Sequence, residues 1–156
     1  MKVAWFSLYN LVLALWVGGM SIFTFIVTPA IFRSYARDMA GEIVGKLFPG
    51  YFIYTLVLTL LALFLFLLTA RDAVLPAYRL SLSLLILSLA VALFVAFRVH
   101  PATVEVKKTV VSFEREASDS PARKRFSRLH ALSASLNLLL LVDGVILLVA
   151  APGLKK

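Results

Sequence analysis

The chain has 156 residues, of which 62% are of hydrophobic types and 15% are charged, with a formal net charge of +8. That hydrophobic share lies well above the roughly 45–50% of soluble domains and excludes an ordinary soluble fold. The mean hydropathy of +0.96 points to an integral membrane protein, read as one domain over 1–156. The basic residues flank apolar spans, so the positive charge reads as a topology signal, and no nucleic-acid partner is expected.

No charged side chain occurs between Lys2 and Arg33. A bilayer core needs roughly 20 such residues, so this stretch is a membrane-crossing helix. It exceeds the about 7–15 apolar residues of a cleaved signal and is expected to be retained. Ser7, Asn10, Ala14, Gly18, Ser21 and Phe25 or Thr28 recur on one helical face at spacings of three and four. Small faces are where membrane helices approach closely, so Gly18 and its neighbour Gly19 are expected packing residues. A second span covers 51–70, a third lies between Arg79 and Arg98, and a fourth between Arg128 and Lys155.

The connections differ in kind. Between 71 and 78 a short turn with Pro76 joins the second and third spans as a hairpin. Within 33–50, apolar Met39, Ile43, Val44 and Leu47 alternate with Arg37, Asp38, Glu42 and Lys46, which predicts a short interfacial helix ended by Pro49-Gly50. Residues 103–116 are helix-compatible and extend the third helix into water. Asp119 or Ser120 is suited to cap a fourth helix beginning at Pro121 and running to about Ala150. Thirty residues make about 45 Å, so its first turns protrude.

The expected fold is therefore an all-α, antiparallel four-helix membrane bundle, with a short interfacial helix after helix 1 and cytoplasmic extensions of helices 3 and 4. Loops 33–50 and 98–128 carry eleven Lys and Arg against five on the other side. The positive-inside rule places those loops in the cytoplasm and both termini outside, in the cell (inner) membrane. Arg33, Arg98, Arg125 and Arg128 belong to this basic side and are read as lipid-headgroup contacts.

Chemistry-bearing residues are few. Zero cysteines exclude disulfides and thiolate metal sites, leaving His100 and His130 as the only histidines. In an antiparallel bundle both lie at one membrane depth. Two facing imidazoles are able to ligate haem or a divalent metal, or else to serve as interfacial polar groups. Ser133, Asn137 and Gly144 continue from His130 along one face of the fourth helix, as a packing stripe or a substrate path. Asn10 and Ser7 of the first helix, or Ser81, Ser83 and Ser88 of the third, are candidate partners for Asn137. Asp143 is a carboxylate within a span, expected either to pair with Arg71, Arg79 or Lys2 or to bind a proton or cation. It stands about 19 Å along the helix from His130, too far to share one ion. No catalytic motif for hydrolysis or phosphoryl transfer is present, so no catalytic residue is assigned.

Several stretches carry a family likeness. They are Leu-Trp-Val-Gly-Gly-Met at 15–20, Val-Thr-Pro-Ala-Ile-Phe at 27–32, Ala-Gly-Glu-Ile-Val-Gly-Lys-Leu-Phe-Pro-Gly-Tyr-Phe at 40–52, His100-Pro101, and the run from Arg125 to Asn137. Together they resemble the transmembrane-protein-205-like family, or domain of unknown function 4149, and this resemblance implies a four-helix membrane bundle without a defined activity. A more distant likeness is to copper-resistance D domains and the membrane protoporphyrinogen oxidase. The histidine that precedes the oxidase's Trp-x-Gly-Gly-like element has no counterpart here, where Tyr9 and Asn10 stand.

Three functions are expected in turn. The first is a non-enzymatic transport or resistance role toward a small molecule or metal ion, in a homo-oligomer embedded in lipid. The second is a haem- or metal-binding redox protein using His100 and His130. The third is an assembly protein that docks a partner on the 98–128 hairpin.

Overall fold

The computed structural model describes residues 2–70 and 74–154, with Lys2 as backbone only. Every described element is helical: α1 (Lys2–Ile22), α2 (Thr28–Ser34), α3 (Arg37–Thr69), α4 (Leu75–Phe94), α5 (His100–Lys108) and α6 (Pro121–Ala150). α1 and α2 join through a π-helical turn at Phe23–Val27, α4 and α5 through another at Val95–Val99, and a short 3₁₀ turn, Ala151–Leu154, closes α6. The result is four rods, Val3–Ser34, Arg37–Thr69, Leu75–Lys108 and Pro121–Leu154, each long and apolar enough to cross a membrane. Large apolar side chains such as Ile26, Ile53, Phe64, Ile86 and Val149 stand exposed along the rods. Such a surface suits acyl chains and not water.

The two π turns have a common cause in the sequence. Each ends two residues before a proline, Pro29 or Pro101. A proline inside a helix lacks its N–H, and its ring collides with the carbonyl four residues back. A wider turn absorbs that conflict without breaking the rod. The amides of Thr28 and His100 accordingly reach five residues back, to the carbonyls of Phe23 and Val95.

The contacts advance along one rod as they retreat along the next. Tyr9 of α1 lies beside Phe66 of α3, Leu15 accepts from Tyr54, and Phe23 stacks on Tyr51 at 4.2 Å. Phe66 then meets Tyr78 of α4, while Phe52 meets His100 at the start of α5. Ser88 of α4 bonds Asp143 of α6, and Gly144 packs beneath Trp16 and Val17 of α1.

Three expectations from the sequence change. First, Pro49-Gly50 does not end a separate interfacial helix; Pro49 lies inside the 33-residue α3. A helix-interior proline costs roughly 3 kcal/mol. Here Phe48, Tyr51 and Phe52 on either side of it stack on one another and on Phe23, which holds both halves in one line. Second, the extension of the third rod stops at Lys108 and not near Glu116. The Asp38 carboxylate captures the loop beyond it, accepting from Ser112 Oγ and Phe113 N, each at 2.6 Å. Third, the small face of α1 is not its packing face. Tyr9, Leu13, Trp16 and Met20 are fully buried, whereas Ser7 and Ala14 are exposed. Lipid and protein interior are equally apolar, so the dense contacts of large side chains decide which face turns inward.

The start of α6 follows the sequence closely. Ser120 is its cap, accepting from Arg123 N at 3.3 Å, and Pro121 occupies the first turn.

Candidate ligand-binding cavity

A cavity of about 420 Å³ opens between α2, α3, α5 and α6 at the end of the rods that carries the 109–120 loop. A second, of about 200 Å³, continues from it toward the middle of α6. The two share Thr28, Phe48 and His130 as walls. Their combined space is in the range of small-molecule pockets, roughly 300–1,000 Å³.

The π turns and their prolines place two of the polar walls. Thr28 and His100 occupy equivalent positions, each between a π turn and a proline. His100 is half-buried and packs against Phe48 at 6.2 Å and Phe52 at 5.0 Å between ring centres. His130 comes from α6 on the facing side, stacked within 7° of Phe126 at 5.9 Å. Phe126 meets Phe113 of the loop at 4.8 Å, and the Arg123 guanidinium lies 5.9 Å from the Phe113 ring centre, near the outer reach of a cation–π contact. The loop that Asp38 anchors thus supplies part of the cavity wall.

Two cations reach the mouth by different routes. Lys107 Nζ crosses from α5 to α3 and donates to the Gly41 carbonyl at 2.6 Å. It lies over Gly41 and Gly45, where added Cβ atoms would stand 3.8 and 3.3 Å from it. The absence of side chains there is what lets the ammonium touch helical backbone. Arg123 donates to the Glu116 carbonyl, which ties α6 to the loop before it.

The inner cavity ends on a polar floor. Tyr51 Oη donates to Asn137 Oδ1, and Asn137 Nδ2 donates to Thr24 Oγ1 at 3.0 Å. Ser133 lines the same space. The partners of Asn137 are therefore Tyr51 and Thr24, not Asn10, Ser7 or a serine of the third rod. Asn10 instead donates to Phe6 O within its own helix, at 3.0 Å, and lines neither cavity.

Asp143 lies apart from this space. It is 3% exposed and accepts from Ser88 Oγ at 3.0 Å. No ion pair to it occurs among the described residues; Arg71 and the Lys2 side chain lie outside them. Of the three glycines expected to pack, Gly19 lies under the Tyr54 ring and Gly144 under Val17 and Trp16, while Gly18 faces open space. Arg33, Arg98, Arg125 and Arg128 are all exposed and line neither cavity.

The structure thus brings His100 and His130 to one cavity and His130, Ser133 and Asn137 to a second that adjoins it. It adds residues that the sequence did not single out as a site, Lys107, Arg37, Tyr51 and the Gly41/Gly45 pair, and turns Arg123, expected only as a basic-side residue near lipid headgroups, into a cavity wall. The Gly-x-x-x-Gly spacing at 41–45 was the available signal for a close approach. Among the described residues, no three of His, Cys, Asp or Glu gather as a metal-binding group.

The sequence profile of a domain of unknown function, DUF4149, matches residues 11–112. The chain belongs to the DUF4149 family. It is also similar to an uncharacterised protein of Aquifex aeolicus (strain VF5), 34% identical over 130 residues that make up 83% of each chain. No solved structure matches. The narrower likenesses to transmembrane-protein-205-like and copper-resistance D proteins rest on the motifs alone. The DUF4149 match spans α2, α3 and α5, three walls of the cavity, and stops before α6. His130, Ser133, Asn137 and Asp143 therefore lie beyond the matched residues.

Proposed function

We propose that this DUF4149 protein is a non-enzymatic transport or resistance protein of the cell (inner) membrane, taking a small molecule into the cavity between His100 and His130. Its four rods form an antiparallel four-helix bundle, as the reversed order of contacts supports. The 109–120 loop and the mouth of the cavity face the cytoplasm, in line with the basic excess on that side. The observation that carries this reading is the pair of adjoining cavities from Lys107 and Arg123 to Asn137, set among four helices and walled in part by an anchored loop. A narrow bundle of this kind works as a homo-oligomer, with the outward small face of α1 free to meet lipid or a second copy.

The absence of native cysteine makes the test direct. A Ser133→Cys chain in lipid vesicles is expected to react with N-ethylmaleimide, and a Gly45→Trp plug in the outer cavity is expected to slow that reaction at least tenfold. An unreactive thiol, or a plug without effect, counts against an accessible cavity.

A second reading has one observation in its favour: both imidazoles line the same cavity. Haem or a divalent metal would find His100 and His130 there and no third protein ligand of the usual types among the described residues. A Soret band on haem addition, lost in both His100→Ala and His130→Ala, would favour this redox role over transport.

A further inference from the structure

The charges around the cavity are one-sided. Arg37, Lys107 and Arg123 line the outer space, and no Asp or Glu does. The nearest carboxylates along the chain are engaged elsewhere. Asp38 accepts from Ser112 Oγ and Phe113 N. Glu116 accepts from Ser120 Oγ and Val111 N. Among the described residues the ion pairs are Lys46–Glu42 and Lys108–Glu105, both on exposed surface. Lys107 has three N–H donors and Arg123 five, and each spends one on a backbone carbonyl. Asp38, Glu42 and Glu116 act on Lys107 or Arg123 through space, but among the described residues none forms an ion pair with either. Donors therefore remain for a ligand, and a lining with cations and no carboxylate favours an anion.

Below this mouth the walls turn apolar. Val44, Phe48, Val104 and Phe126 lead from the cations toward the inner space. Along α6, Arg123 and Asn137 are fourteen residues apart, about 21 Å of helix. That distance matches an extended long acyl chain. The polar floor at Tyr51, Asn137 and Thr24 is satisfied within itself, so it asks nothing of a hydrocarbon terminus.

We propose that the cavity binds a single-chain anionic lipid, its carboxylate or phosphate head at Lys107, Arg123 and Arg37 and its chain along Phe48 and Phe126 toward Ser133. This rests on the cavity reading above and specifies its ligand. The head is held by charge-assisted hydrogen bonds, and the chain is sorted by length against the floor.

The test uses the full chain in mild detergent with radiolabelled oleate and its uncharged counterpart, monooleoylglycerol. Oleate is expected to bind saturably, one per chain, and at least tenfold more tightly than monooleoylglycerol. Lys107→Gln combined with Arg123→Gln should weaken oleate at least tenfold, and Lys107→Arg should retain it. Should the double variant fold poorly, Arg37→Gln and raised salt are each expected to weaken oleate and leave monooleoylglycerol unchanged. Equal binding of the two lipids, or indifference to these substitutions, overturns the anionic ligand while leaving a cavity that takes neutral molecules. Displacement of oleate by millimolar inorganic phosphate overturns the lipid source in favour of a free oxyanion. Binding of neither lipid, with the Ser133→Cys thiol still reactive, overturns this proposal alone; an unreactive thiol as well removes the cavity reading with it.

Discussion

Lys107 Nζ donates to the carbonyl of Gly41, an α-helical backbone oxygen, across 2.6 Å between α5 and α3. The contact exists because Gly41 and Gly45 leave the α3 surface bare, and an added Cβ at Gly45 would stand 3.3 Å from the ammonium. Gly45→Leu should drive Lys107 off the carbonyl. A hydrogen bond to a charged group contributes roughly 1.5–3 kcal/mol. Gly50→Leu is the control, because a Cβ at Gly50 meets nothing. Thermal unfolding in detergent should show a lowered midpoint for the first and not for the second.

The Tyr51–Asn137–Thr24 chain ties α3, α6 and the first π turn together near the middle of α3 and α6. Interhelical hydrogen bonds in membranes average about 0.6 kcal/mol and reach about 1.7. Tyr51→Phe should cost within that range. Combined with Asn137→Leu, which removes the orphaned acceptor as well, the loss should fall below the sum of the single losses, because the two groups share one bond. A double-mutant cycle on chemical unfolding measures it, and strict additivity would mean the bond carries no coupling.

Ser88, not a cation, is the partner of Asp143 among the described residues. An amide carbonyl accepts a hydroxyl as a carboxyl does, so Asp143→Asn should be nearly neutral for stability. Ser88→Ala should cost about 1–3 kcal/mol by leaving a buried acceptor unpaired. Had Asp143 been held by a buried ion pair, breaking it by Asp143→Asn would cost about 3–5 kcal/mol. The ranking of the two variants in a melting experiment separates these cases.

The 109–120 loop carries an acid-sensitive contact. The Glu116 carboxylate accepts from Ser120 Oγ at 2.5 Å and from Val111 N at 3.1 Å. These bonds, chiefly the Ser120 hydroxyl, hold the Glu116 carboxyl below its ordinary value. A lowered folded pKa means that the contribution is complete above the unfolded value, about 4.3, and is lost as pH falls through the lower folded one. Limited proteolysis of the loop should therefore be constant at neutral pH and accelerate only in the acid range below that value. Glu116→Gln should shrink the acid step to the part that Asp38 contributes through Ser112 and Phe113.

The four spans were legible because hydropathy marks a crossing segment whatever it packs against. The Ser120 cap and Pro121 start were legible because their chemistry is local. The inward face of α1 was not. Gly18 and Ala14 gave a regular small stripe, yet Tyr9, Leu13, Trp16 and Met20 fill the interior. In lipid both faces are apolar, and only the shape of the neighbouring helices distinguishes them. Pro49 misled in the same way, since ring stacking among Phe23, Phe48, Tyr51 and Phe52 outweighs its local cost. His100 and His130 emerged from counting along two rods, whereas Lys107 entered only as a topology charge. Its reach back to Gly41 depends on a register that one strand of sequence does not reveal.

The most direct measurement is native mass spectrometry of the chain released from membrane lipid, beside its Gly45→Trp variant. A small molecule held in the cavity predicts one adduct of defined mass on the wild-type chain, absent from the plugged variant while that variant still unfolds cooperatively, at the lowered midpoint that loss of the Lys107 contact entails. A bare chain in both, or the same adducts in both, would contradict a ligand bound between His100 and His130.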